Sequence, residues 1–181
     1  GFGLDAIGLL GVRLDSGGGT NGATASSYGG TVFPSKSNGE AVDNYSSLGL
    51  TAKAKISQTE LKLGTLQPKL PVIVTNDGRM LPQTFQGAQI SSREIDHLTL
   101  YGGQIRGNSP RNDASMEDMS LNGKGAFTSD RFNFAGGDYS FNEKRTQVGL
   151  WYAQLEDIYQ QQFLNVLHSQ PVGDVTLGAN L

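Results

Sequence analysis

Lys53 and Lys55 stand two residues apart in SLGLTAKAKIS, so an extended chain sends both ammonium groups to one face. Arg93 follows Gln89 and Ser91 at the same spacing, and Arg13 shares strand parity with Asp5. In PVIVTNDGRMLPQTF, Asp77 and Arg79 lie between Pro71 and Pro82, whose rings hold both ends in extended, poorly mobile geometry. Ammonium and guanidinium groups are the chemistry of anion recognition: they meet carboxylates in charge-assisted hydrogen bonds, and the guanidinium does so with a planar fork. Each residue also has a purely structural use. Asp77 and Arg79 can pair to pin their own loop, each lysine can be a solvated rim side chain, and Arg13 can pair with a neighbouring acid.

Bond-making chemistry finds no support. The absence of cysteine excludes disulfides, thiolate metal sites and cysteine nucleophiles. His97 and His168 are too few and too far apart to read as a metal pair. Asp113, Glu117 and Asp118 in NDASMEDMS lack the glycine and closing glutamate of a Ca²⁺ loop. Glu156 and Asp157 are adjacent, so a strand points them to opposite faces and they cannot act together on one glycosidic bond. There is no phosphate-binding glycine loop, no Gly-x-Ser-x-Gly and no nucleophile beside a histidine. The reading is a protein without catalysis, cofactor or metal. A net charge of −3 offers no nucleic-acid surface. No apolar run reaches the roughly 20 residues of a membrane helix, and the start lacks the charged and apolar regions of a signal peptide.

The elements that must position these cations are strands. Leu48, Leu50, Ala52, Ala54 and Ile56 alternate with Thr51, Lys53, Lys55 and Ser57, giving one apolar and one polar face. A short connection at Gln58 and Thr59 leads to ELKLGTL, where Leu61, Leu63 and Thr65 oppose Glu60, Lys62 and Gly64; the pair reads as an antiparallel hairpin. Further short turns are expected at Asp96 and His97, at 142–145, and at Gly173 and Asp174. Between them lie two long polar connections, 16–44 and 108–130, unusual in a compact soluble domain. LWYAQLEDIYQQQFLNVLHS is ambiguous: it has an approximate helical face, or it is two strands joined near Tyr159 and Gln160. Short turns on one side and long loops on the other are the plan of a transmembrane barrel, in which only every second residue meets lipid. That plan suits a chain with 36% hydrophobic residues. Phe2, Phe85, Phe132, Trp151 and Tyr152 then read either as interface girdles or as cross-strand packing, and a soluble all-β carbohydrate-binding module remains the alternative from another class.

The blocks GFGLDAIGLLGVRLDSG, DGRMLPQTFQG, SREIDHLTLYGG and YAQLEDIYQQQFLNVL, in this order, resemble the OprD-type porins, the outer-membrane carboxylate channels of pseudomonads. The resemblance implies an all-β, antiparallel up-and-down barrel of about 18 strands in the bacterial outer membrane. It also implies that the ambiguous segment is strand, tight connection, strand. About nine strands are legible, so residues 1–181 correspond to part of one barrel domain; half a barrel cannot close and would leave unpaired edges in lipid. By the same resemblance, 68–84 is an inward-folded constriction loop with Asp77 and Arg79 facing the neck. Gly78 and Met80 stand there where serine and leucine are common. Lys53, Lys55, Arg93 and Arg13 correspond to a basic ladder along the pore. Implied partners are small carboxylates and the lipid and lipopolysaccharide of the outer membrane, with no nucleic acid, in a monomer or weak homotrimer. The absence of an acidic cluster in the constriction leans toward aromatic or cyclic acids such as benzoate. The alternative within the family is a channel for basic amino acids or peptides.

Overall fold

In a computed structural model, the described residues are 1–14, 33–34, 41–78, 81–111, 115–121, 127–172 and 175–180. They form thirteen strands and no helix: β1 (Phe2–Val12), β2 (Asn44–Ile56), β3 (Thr59–Leu66), β4 (Lys69–Leu70), β5 (Ile73–Val74), β6 (Thr84–Ser92), β7 (Leu98–Ser109), β8 (Met119–Ser120), β9 (Thr128–Ser129), β10 (Phe132–Phe141), β11 (Thr146–Leu155), β12 (Tyr159–Val172) and β13 (Val175–Asn180). Nine of them make one antiparallel sheet in the order β1-β2-β3-β6-β7-β10-β11-β12-β13, while β4-β5 and β8-β9 are two small ribbons. Each long strand pairs with the next long strand in the chain, the up-and-down arrangement that short turns impose.

Burial follows the period of two. Leu4, Leu48, Leu50 and Ile56 keep 70%, 74%, 51% and 78% of their surface exposed, and the register stacks Leu4 on Ala52 and Leu61 on Ala54 across the same face. Exposed leucines in continuous rows suit a face turned to lipid, not to water. The inner face is different. Leu66, Phe85, Ile105, Phe132, Phe134, Trp151, Ala153 and Leu155 project from it into one buried cluster together with Leu70, and Val72 and Ile73 pack against them. The chain between β3 and β6 therefore lies on the inner face, held by its own β4-β5 ribbon and by bonds from Thr75 N–H to the Pro68 carbonyl (2.8 Å) and from Gln83 N–H to the Asn76 carbonyl (2.8 Å).

Several expectations shift in detail. Thr65 does not share the outer face with Leu61 and Leu63: Gly64 has φ +119°, the alternation slips there, and Thr65 is buried with its hydroxyl accepting from the Gln86 amide at 2.7 Å. Only glycine takes that backbone cheaply. Phe85, Phe132 and Trp151 face the inner cluster, not an interface girdle, while Phe2 and Tyr152 are exposed. The segment around Tyr159 is strand, turn and strand, with the turn at 156–158.

At the end of the short turns, the first connection is Ser57 and Gln58, one residue earlier than expected, and 142–145 is a turn as expected. The connection 173–174 lies outside the described residues. The chain leaves β6 at Ser92, so the connection to β7 occupies 93–97. The cause is Glu94, which folds over the neighbouring turn. Its carboxylate accepts from the Gln58 N–H (2.7 Å), the Ser57 hydroxyl (2.9 Å) and the Thr59 hydroxyl (3.0 Å). The Ser57 bond, then the Gln58 N–H, hold its carboxyl below the ordinary carboxylate value.

Candidate functional site

β2 and β3 carry the cations to the inner face because the hairpin register keeps parity: Lys53 opposes Lys62, and Lys55 opposes Glu60. β6 continues the row, with Gln89 beside Lys62 and Ser91 beside Glu60. These side chains line a recess of about 980 Å³ whose charged members are Lys53, Lys55, Lys62, Lys69 and Arg93 against Asp5 and Glu60. In a chain with an excess of acids, five cations against two acids is a local reversal of sign. Both acids are already engaged, Asp5 with Lys53 and Glu60 with Lys62 at 3.1 Å. Lys55, Lys69 and Arg93 have no carboxylate partner among the described residues. Fixed cations beside a low-dielectric wall raise the local concentration of anions, and uncommitted donors can meet a carboxylate directly.

The start of the connection between β3 and β6 forms one side of this recess. Pro68, Lys69 and Leu70 line it, and the Gln161 side chain reaches from β12 to donate to the Val72 carbonyl at 3.3 Å. One connection thus spans from β3 and β6 to β12 across the inner face. Its anchoring is apolar at Leu70, Val72 and Ile73 and polar at Gln161, a combination that fixes both depth and direction.

The expected site residues separate into three groups. Lys53, Lys55 and Arg93 are brought together in the recess. Arg13 sits at the other end of β1, paired with Asp43 and donating to the Ala41 carbonyl at 2.9 Å, so it fastens β1 to the chain preceding β2. Asp77 is exposed beside Gly78, whose N–H bonds the Asn76 side chain at 3.1 Å; Arg79 lies outside the described residues. Lys62, Lys69, Tyr101 and Arg111 are additions. Lys62 has the parity of Lys53 across the hairpin and was findable by it. Lys69 follows the end of β3, where parity no longer tells direction. The Arg111 guanidinium lies beside Gly78, with Nη1 3.4 Å from where a Cβ would stand there, a proximity no local pattern foretells. Glu117 exchanges backbone bonds with Asn108 at 2.9 and 2.8 Å, and no cluster of potential metal ligands occurs among the described residues.

Residues 1–181 match the family described as outer membrane porin, OprD family. Porin-like protein GalP of Pseudomonas putida is 55% identical over 181 residues, which are 100% of this chain and 42% of that protein. The crystal structure of a BenF-like porin from Pseudomonas fluorescens superposes with a TM-score of 0.89 at 57% identity, covering 99% of this chain and 44% of that one. OpdK of Pseudomonas aeruginosa, crystallised with vanillate, gives 0.88 at 46%, covering 99% and 45%. The chain therefore spans less than half the length of these relatives, and its nine-stranded sheet is part of a barrel wall. Porins of this kind are outer-membrane β-barrels that pass solutes and catalyse nothing. The lipid-suited outer face, the cationic inner face and the match along the whole chain agree: the chain belongs to the OprD family of outer-membrane porins.

Proposed function

We propose that the complete barrel is a passive, substrate-selective channel for small carboxylates, with aromatic or cyclic monoacids such as benzoate as preferred solutes. The observation that carries this reading is the inner recess with five cations, three of them without a carboxylate partner among the described residues. A carboxylate entering a narrow aqueous neck loses part of its hydration. Lys55, Lys69 and Arg93 replace that water, and several weak sites in succession allow release as well as entry. The segment 68–84 is the constriction in this account, with Asp77 and Arg79 at the neck. The short turns face the periplasm, and 16–44 and 108–130 lie outside the cell. The preference for aromatic acids is supported by the OpdK structure with vanillate, itself an aromatic carboxylate, and by Tyr101 on the wall of the recess.

The test is uptake by liposomes carrying the full-length channel, with benzoate, its neutral analogue benzamide, and arginine offered separately. Benzoate should enter fastest, and its lead over benzamide should shrink at about 1 M salt, where the screening length is about 3 Å. Equal rates for benzoate and benzamide, or faster arginine, would remove the reading.

A further inference from the structure

The connection between β3 and β6 is held at its two ends by different means. Leu70, Val72 and Ile73 seat its first part on the inner cluster, and Gln161 donates to the Val72 carbonyl. Its last part is held by amides. The Gln83 N–H donates to the Asn76 carbonyl at 2.8 Å, and the Gln83 side-chain oxygen accepts from the Asn76 N–H at 3.4 Å, which closes 76–83 into one loop. The Gln83 side-chain nitrogen then leaves that loop and donates to Asn108 Oδ1 at 3.1 Å.

Asn108 is the last residue but one of β7, and the chain that follows it turns back toward it. Asn108 and Glu117 exchange backbone bonds at 2.9 and 2.8 Å, the Asn108 amide donates to the Glu117 carbonyl at 3.5 Å, and Met119 is buried in the same cluster as Leu70. Gly107 leaves room for this return, since a Cβ there would stand 3.1 Å from the Glu117 carbonyl oxygen and from Met116 Sδ. Each of the two amides uses both its oxygen and its nitrogen. A bonded chain thus runs from Asn76 through Gln83 and Asn108 to Glu117, joining two connections that lie far apart in sequence.

We propose that Gln83 and Asn108 are positioning residues of the pore: their bond fastens the end of the inner segment to the long connection after β7, so that the neck keeps a single width. This rests on the reading of 68–84 as the constriction and adds what holds its far end. The bond is partly buried, where leaving one amide unmatched costs more than it does in water. Loss of the apolar anchor would release the segment outright. Loss of the Gln83 bond leaves the segment seated at Leu70, Val72 and Ile73 but lets its end exchange between two positions, and the pore then moves between levels instead of opening wider.

The experiment records single full-length channels in planar bilayers, for wild type, Gln83→Ala, Asn108→Ala and the double variant, with assembly checked by heat-modifiable migration. The time spent away from the main conductance level should rise about fivefold in each single variant, the scale of one net hydrogen bond. The main level and the reversal potential should stay in place, because the recess cations are untouched. The double variant should match the single ones, since both remove the same bond; independent roles would multiply to about twenty-fivefold. Gln83→Lys combined with Asn108→Asp again sets a donor against an acceptor and should return the time toward the wild-type value. If Asn108→Ala does not assemble, Gln83→Ala and the Lys and Asp combination decide the matter. Unchanged traces in Gln83→Ala, effects that multiply in the double variant, or a Lys and Asp combination no steadier than Gln83→Ala would overturn the proposal. Failure of the constriction reading itself would appear elsewhere, as an Ile73→Asp channel whose conductance does not change.

Discussion

Lys55 and Arg93 differ from Lys53 and Lys62 in one respect that matters for transport: no acid holds their protons among the described residues, whereas Lys53 and Lys62 are committed to Asp5 and Glu60. Replacing Lys55 and Arg93 together by glutamine should therefore raise the half-saturating benzoate concentration even at high salt. The same change at Lys53 and Lys62 should act mainly at low ionic strength, because it alters only the long-range field. Saturation curves of uptake at two salt concentrations separate the two cases. At the turns, Glu94 makes a second residue-scale prediction. Its carboxyl is held below the ordinary value of 4.5 by the Ser57 hydroxyl and the Gln58 N–H. A depressed folded value stabilises the native state fully above the unfolded value, and this contribution is lost as pH falls through the folded one. Wild type should melt higher than Glu94→Gln at pH 7, and the two melting curves should converge in acid; a pH-independent difference would assign the role to shape alone. Strand parity made Lys53 and Lys55 legible as neighbours from the sequence. It could not reveal Glu94, whose partners lie 35 to 37 residues away, nor Arg111, which reaches Gly78 from a different connection.

For the strands, alternation alone predicted which side of β2 carries leucine and which carries lysine, because a period of two leaves no other choice once one face must be apolar. The rule failed where the backbone leaves the regular pleat. Gly64 turns the parity of Thr65, whereas Arg93, just past the end of β6 at Ser92, still joins Gln89 and Ser91 in the recess. Trp151 shows a different limit. The sequence left it between an interface girdle and cross-strand packing, and only the fold shows it on the inner face, 1% exposed within the cluster that Val72 and Ile73 pack against. Two predictions belong here. Leu50→Arg, in the middle of β2, should cost roughly 2–4 kcal/mol in unfolding titrations, the range for arginine facing mid-bilayer lipid, while Lys55→Gln, of opposite parity on the same strand, should assemble normally. The reverse pattern would put the register off by one residue. The inner segment is held by Leu70, Val72 and Ile73 against the cluster around Ile105 and Trp151. Ile73→Asp should release it without breaking the wall, seen as larger and noisier single-channel conductance; an unchanged conductance would mean that the segment does not narrow the pore.

At the scale of the whole molecule, the sheet is a graded wall: leucines outside, a dry cluster inside where the segment lies, and a wet cationic recess beside it. Its up-and-down order was legible from the rhythm of short and long connections, since strands joined by short turns must be neighbours. The depth of the inner segment was not, because the bond that carries it across to Gln161 joins residues 89 apart. In the proposed channel, this cationic inner face sets the selectivity of the pore. The reversal potential of the full-length channel in a planar bilayer under a KCl gradient tests it most directly, for wild type and for the combined Lys55→Gln, Lys69→Gln and Arg93→Gln variant. The wild type should show an anion-selective potential that moves toward, or through, the nonselective value in the variant, with the barrel assembled in both. A wild-type potential on the cation side, or one that the three substitutions leave in place, would contradict it.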